Sequence, residues 1–130
     1  MAARVTLFSS AGFGAPNNCR VAFSADLPEG AYQLVIESFA TAAPVMSGFA
    51  VSASGVFSQP TWDNAANGER VNLVVSSTGA WASSVDTGSV GFRLGPNLKG
   101  QTLSVQVRDA TGALTASFPN WIMQCVVLKL

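Results

Sequence analysis

The chain contains no histidine, and this absence removes the commonest catalytic arrangements. Histidine is the general base of Ser-His-Asp and Cys-His sites, a frequent zinc ligand and the side chain that ionises nearest to neutral pH. Two suitably spaced carboxylates would still suffice for glycoside hydrolysis. Most of the acidic residues, however, lie in or beside predicted turns, where they satisfy local hydrogen bonds: Asp26, Glu29, Asp63, Asp86 and Asp109. We therefore predict that the protein is not an enzyme.

Charged residues are scarce as well. They make up 11% of the 130 residues, against about 25% in a typical soluble domain. The formal net charge is zero and the charges are spread singly, so no basic stripe would neutralise nucleic-acid phosphates. Removing water from a surface of neutral side chains costs little free energy when another protein covers it. The composition predicts no nucleic-acid partner and favours a protein partner, with a weakly charged monomer as the alternative.

Long apolar runs and metal-binding clusters are also missing. No run approaches the roughly 18 to 20 apolar residues that cross a bilayer, and the first residues lack the apolar core of a signal peptide. We expect synthesis in the cytosol and no membrane partner. Cys19 and Cys125, without histidine, make a poor metal site, and free buried thiols are favoured over a bridge. The Asn- and Asp-containing residues 63–69 favour a turn over a calcium loop, so no cofactor is predicted.

What the sequence does contain is a series of short segments with alternating apolar residues, separated by Gly, Pro, Asn and Asp. One strand is predicted around Cys19, Val21 and Phe23. The other predicted strands are residues 4–9, 31–39, 48–57, 69–76, 89–94, 101–108, 113–118 and 121–130. Eight or nine strands without a helix predict one all-β domain over residues 1–130. We expect a two-sheet, antiparallel, jelly-roll-like sandwich, with an immunoglobulin-like sandwich as the alternative.

The last predicted strand, residues 121–130, is apolar on both faces. One face carries Trp121, Met123, Cys125 and Val127, and the other carries Ile122, Val126, Leu128 and Leu130. Such a strand needs cover on both sides. It is either central within the fold or it presents one face to a neighbouring subunit. Trp121, Met123 and Val127 are therefore candidate interface residues.

Three aromatic residues fall in predicted loops: Phe13, Trp62 and Trp81. A loop aromatic either caps the end of the core, anchors a protein interface or stacks against a sugar ring. We take all three as interface candidates. Carbohydrate is the alternative ligand.

The order of these segments along the chain is similar to that of a known group of proteins. Residues 7–10 are followed by an Asn-rich loop, residues 27–32 open a strand, and the second half runs through residues 103–109, Gly112 and the closing strand 121–130. This layout resembles that of small jelly-roll proteins of virus particles, including minor capsid and decoration proteins. The resemblance implies a virion component, made in the host cytoplasm, that forms homo-oligomers or packs against major capsid or other virion subunits.

Overall fold

A computed structural model of the chain describes residues 2–22, 31–42, 48–55, 71–78, 81–85, 92–94 and 101–130, with the backbone alone for residues 2, 77–78, 81–85 and 92–93. Ten strands lie in these residues, and a 3₁₀ turn, Ser9–Ala11, follows the first of them. The strands are β1 (Ala2–Phe8), β2 (Phe13–Ala15), β3 (Asn18–Ala22), β4 (Tyr32–Ala42), β5 (Gly48–Ser54), β6 (Val71–Thr78), β7 (Trp81–Val85), β8 (Phe92–Arg93), β9 (Thr102–Arg108) and β10 (Trp121–Lys129).

The strands form two antiparallel sheets that pack as a sandwich. Hydrogen bonds link the strands in the order β1-β10-β4-β7-β6-β5-β9-β3-β2, with β8 beside β4. The first sheet contains β1, β10 and β4, and the second contains β6, β5, β9, β3 and β2. Strand β7 pairs with β4 and with the end of β6, so it joins the two sheets at one side.

The strand pairing is that of a jelly roll, in which eight strands form four nested antiparallel pairs. With β2 and β8 set aside, β1 pairs with β10, β3 with β9, β4 with β7, and β5 with β6. An immunoglobulin-like sandwich would instead place its first two strands side by side. The predicted two-sheet, jelly-roll-like sandwich is confirmed.

Alternate residues of each strand build one core between the sheets. Side chains that the alternation predicts to point inward are buried: Tyr32, Leu34, Ile36, Val71, Leu73, Val75, Leu103, Val105 and Val107. Across the sandwich, the ring of Phe39 on β4 packs edge-on against that of Phe49 on β5, with 6.0 Å between centroids. Such a pair contributes about 0.5–1.5 kcal/mol beyond the area it buries.

The two cysteines are part of this core. Cys19 on β3 and Cys125 on β10 are free and buried, which confirms the predicted free thiols. Burial raises the pKa of the Cys19 thiol. Burial and, to a smaller degree, the charge of Glu37 raise the pKa of the Cys125 thiol to about 12. Both thiols are therefore neutral near pH 7 and behave as small apolar side chains.

Two of the strands were not predicted. Strand β2 lies inside the predicted loop 11–18, where Ala15 pairs with Asn18 across a tight turn at Pro16 and Asn17. Gly14 in this strand has a φ of 102°, a conformation that other residues rarely adopt. Strand β7 lies in the second predicted loop, residues 76–84. Both strands are short and carry little alternation, so their pairing comes from tertiary contacts.

The predicted strand over residues 113–118 is wrong. This segment makes a single bridge, from Leu114 to Arg108, and no ladder. The physical reason is its position, because residues 109–120 run from β9 in the second sheet to β10 in the first. Phe118 lies in this connection and covers one end of the core, with 4.9 Å between its ring centroid and that of Phe49.

Candidate interaction surfaces

Trp121, Met123 and Val127 lie on the inner face of β10 and are buried in the chain's own core. Trp121 packs against Phe39 with 5.9 Å between ring centroids. Its indole Nε1 donates a hydrogen bond to the Pro16 carbonyl at 2.7 Å, and its backbone N–H donates to Ser9 Oγ at 2.9 Å. The interface prediction is corrected for Trp121, Met123 and Val127, because the second sheet already covers this face of β10.

The opposite face of β10 points outward and is also apolar. Ile122 lies directly opposite Phe8 of β1 on one side and Ala40 of β4 on the other. The side chains of Phe8 and Ile122 are 47% and 46% exposed. Two large apolar side chains thus sit next to each other on the surface. A cross-strand pair of this kind forms one continuous contact area.

Further apolar positions lie along the first sheet, beyond a polar row in which Gln124 of β10 lies between Thr6 of β1 and Ser38 of β4. Val126 of β10 lies opposite Val35 of β4, and Leu128 follows two residues further along. Each of these side chains is partly exposed. We call the following set the apolar face: Phe8, Val35, Ala40, Ile122, Val126 and Leu128.

Two charged side chains lie among the described outward positions of the first sheet, and they neutralise each other. Arg4 Nη2 donates to Glu37 Oε1 at 3.2 Å. An exposed ion pair of this kind adds little to stability. Its effect is on the surface, because paired charges leave no single-sign field beside the apolar face.

The outward side chains of the second sheet have a different chemistry. A row of amide and hydroxyl groups crosses four strands, because Asn72 lies opposite Ser52, Ser52 opposite Gln106, and Gln106 opposite Asn18. Ser52 is buried within this row, and its Oγ donates to Asn72 Oδ1. Arg108 donates to Gln106 Oε1 in the same region. We call Asn18, Ser52, Asn72 and Gln106 the polar face.

Phe13 is the predicted loop aromatic whose side chain the structure describes. It lies on β2 opposite Arg20, beside the polar face, and is 78% exposed. Trp62 lies outside the described residues. Trp81 is described for its backbone alone, which belongs to β7 and not to a loop. Of these three candidates, Phe13 is therefore the one with an observed surface position.

A shallow groove of about 400 Å³ lies between β5, β6 and the turn at residues 109–112. Asp109 in its wall accepts hydrogen bonds from the Thr111 backbone N–H at 2.8 Å, the Thr111 hydroxyl and the Ala113 N–H. The Thr111 hydrogen bonds lower the pKa of the Asp109 carboxyl. This carboxylate holds the turn together, as an Asp in a turn is expected to do.

No family model, no curated protein and no solved structure matches this chain. Among the residues that the structure describes, no three His, Cys, Asp or Glu side chains group as a metal site. No helix within the same residues is long and apolar enough to span a membrane. The two outer faces are thus the surfaces from which a function can be argued.

Proposed function

We propose that the protein is a non-enzymatic structural protein that packs against neighbouring subunits of an assembly through its apolar face. The resemblance of its segments to small jelly-roll virion proteins makes a viral minor capsid or decoration protein the specific proposal. The observation that carries the proposal is the cross-strand pair of Phe8 and Ile122, each about half exposed on the outside of the first sheet.

The free energy of covering this face favours a protein partner. Burying apolar area stabilises a complex by about 25 cal/mol per Å², so the exposed halves of Phe8 and Ile122 each contribute on the order of 1 kcal/mol. Burying the ion pair of Arg4 and Glu37 would cost desolvation free energy, so we expect this pair at the solvated rim of the contact. Half-buried Val35, Val126 and Leu128 extend the contact.

An isolated exposed apolar side chain would not support this proposal, since such side chains are common on monomers. Val74, on the outside of the second sheet, is 76% exposed but lies opposite Ala50, with the polar row on one side. Phe8 and Ile122 differ because they are paired directly across two strands, with Ala40 beside them on the third. Val74 is therefore a matched control for any substitution on the apolar face.

The experiment introduces Ile122→Asp or Val74→Asp into the gene in its natural source and compares the two variants. Particles are separated on a density gradient, and the chain is followed by mass spectrometry. We expect the wild type and Val74→Asp in virion-sized fractions and Ile122→Asp mostly in the free fraction. A wild-type chain that stays in the free fraction would overturn the proposal. Cooperative urea unfolding of both purified variants controls for folding.

Carbohydrate binding is a second candidate function, favoured by the exposed Phe13 beside Arg20 and the polar face. Aromatic rings provide flat platforms for sugar rings, and amide side chains hydrogen-bond sugar hydroxyls. On a glycan array, this function predicts binding by the wild type and a loss of at least tenfold in Phe13→Ala. A silent array for the wild type would remove it.

A further inference from the structure

The hydrogen-bonded path of strands ends at β1 on one side and β2 on the other, and these two edges differ. Strand β2 has three residues, contains Gly14 in a left-handed conformation and leads into Pro16. Short edges, glycine and proline protect a sheet from pairing with other chains. Strand β1 has seven residues, lacks both Gly and Pro, and carries a single charge, on Arg4.

Among the residues that the structure describes, no strand pairs with the outer edge of β1. Ala3 and Val5 share the inward side of β1 with Leu7, yet both remain partly exposed. On the neighbouring strand β10, the inward Met123 and Val127 are fully buried. Strand β10 has a described strand on each side, whereas β1 has one on a single side. Within the described part of the chain, the inward side chains of β1 are therefore less covered than those of β10.

We propose that β1 pairs antiparallel with β1 of a second copy of this chain, about a twofold axis at Val5. This inference deepens the proposed function by naming a partner, and it rests on that function in treating the first sheet as an assembly surface. The two first sheets would become one continuous sheet of six strands, β4-β10-β1-β1-β10-β4. Both apolar faces would then lie on the same side.

The register follows from the sequence of β1. A twofold axis places one residue directly opposite its own copy. An axis at Val5 pairs all seven residues of β1, with Ala2 opposite Phe8 and Ala3 opposite Leu7. Arg4 then lies opposite Thr6 of the second copy. An axis at Arg4 would instead place two like charges directly opposite each other, which is unfavourable.

A second copy fits this edge because the register pairs apolar residues with apolar residues on the inward side and places no charge opposite a like charge. Ala3, Val5 and Leu7 meet their counterparts on the inward side, where they continue the core. The outward Arg4 keeps Glu37 of its own chain as a partner. A single strand pairing lies at the low end of interface sizes, so we expect a dissociation constant in the low micromolar range, on the order of −8 kcal/mol.

The test is disulfide trapping with Val5→Cys. Residues directly opposite in an antiparallel pair have Cα atoms about 4.5–5.5 Å apart, within the range that a disulfide bridges. Ala3→Cys is the matched control, because Ala3 shares the inward side of β1 with Val5 and is likewise partly exposed, while in this register its two copies are offset by about four residues, or roughly 13 Å. Native Cys19 and Cys125 are buried and serve as the background in the wild type.

Under mild oxidation at about 100 μM protein, well above a micromolar dissociation constant, we expect Val5→Cys to form linked dimers at least ten times faster than Ala3→Cys. Equal rates, or a Val5→Cys chain that stays monomeric, would overturn the pairing. Sedimentation equilibrium of the wild type provides the second measurement if Val5→Cys fails to fold. There, a mass that rises from one to two chains with concentration is expected, and a constant single-chain mass contradicts the proposal.

The structural role and the β1 pairing can be contradicted independently of each other. A chain that enters particles but gives no Val5→Cys dimer retains the structural role and loses the β1 pairing. A chain that forms the Val5→Cys dimer but never enters particles retains the pairing and loses the structural role. Linkage of Val5→Cys to a different particle protein alone would show that the edge receives a foreign strand, which overturns pairing between copies.

Discussion

The outer faces of the two sheets are built by the same alternation but carry different chemistry. On β10 the outward positions include Ile122, Val126 and Leu128 as well as Gln124, whereas on β5, β6 and β9 they include Ser52, Asn72 and Gln106, with Val74 as an apolar exception. A sandwich needs apolar side chains on its inner faces alone. The polar face meets that pattern, and the apolar face departs from it. We propose that covering by a neighbouring subunit accounts for this difference.

The largest expected effect tests whether β10 has one buried inner face and one exposed outer face. Trp121→Ala should lower the free energy of unfolding by about 3–5 kcal/mol, because it removes a buried ring and leaves a cavity. Ile122→Ala, one residue away, should cost less than about 1 kcal/mol in the dilute monomer. Urea unfolding measures both, and similar costs would break the distinction between the two faces.

The next effect concerns Cys125, which lies in the core directly behind the apolar face. Its folded-state pKa, about 12, lies above the ordinary thiol value. A raised folded pKa gives stability that is present below the unfolded pKa of about 8.5 and is lost as pH rises towards the folded value. We expect a loss of about 2 kcal/mol between pH 7.5 and pH 10 from this thiol.

The measurement is urea unfolding at both pH values with a reductant present, for the wild type and Cys125→Ala. The variant should lose less stability at pH 10 than the wild type, because it has no thiol to ionise at this position. Parallel losses in both proteins would show that water reaches Cys125. The first sheet would then be less tightly packed than its buried inner face indicates.

A smaller effect tests the polar face. Ser52→Ala should destabilise the chain by about 1 kcal/mol, because it removes the buried hydroxyl that donates to Asn72 Oδ1. Ser54→Ala, at the next outward position on the same strand, is the control and should change stability by less than about 0.5 kcal/mol. Thermal or urea unfolding measures both. If the two variants behave alike, the polar row makes no structural contribution and is simply solvated.

The smallest expected effect is that of Phe13→Ala. With its ring 78% exposed, the change should alter the free energy of unfolding by less than about 0.5 kcal/mol. It should also leave particle association unchanged, in contrast to Ile122→Asp. Gradient sedimentation measures the association. Loss of association in Phe13→Ala would reverse the comparison and assign the interface to the polar side of the molecule.

Much of the fold could be predicted because strand alternation is a local property. Tyr32, Leu34 and Ile36 follow a period of two, and so do Leu103, Val105 and Val107, and both sets are buried. Strands β2 and β7 were missed because three to five residues carry too little alternation to be distinguished from a loop. Residues 113–118 were assigned to a strand because the sequence shows where a chain is extended but not where it must cross between sheets.

The candidate site was harder to predict than the fold, and β10 shows why. The sequence by itself determined that the chain is all-β, that it has no histidine to support common catalytic sites, and that β10 is apolar on both faces. Only the tertiary structure decided that Trp121 faces the second sheet and Ile122 faces outward. Both assignments satisfy a period of two. The choice depends on register with β1 and β4 and on contacts between sheets that are distant in sequence.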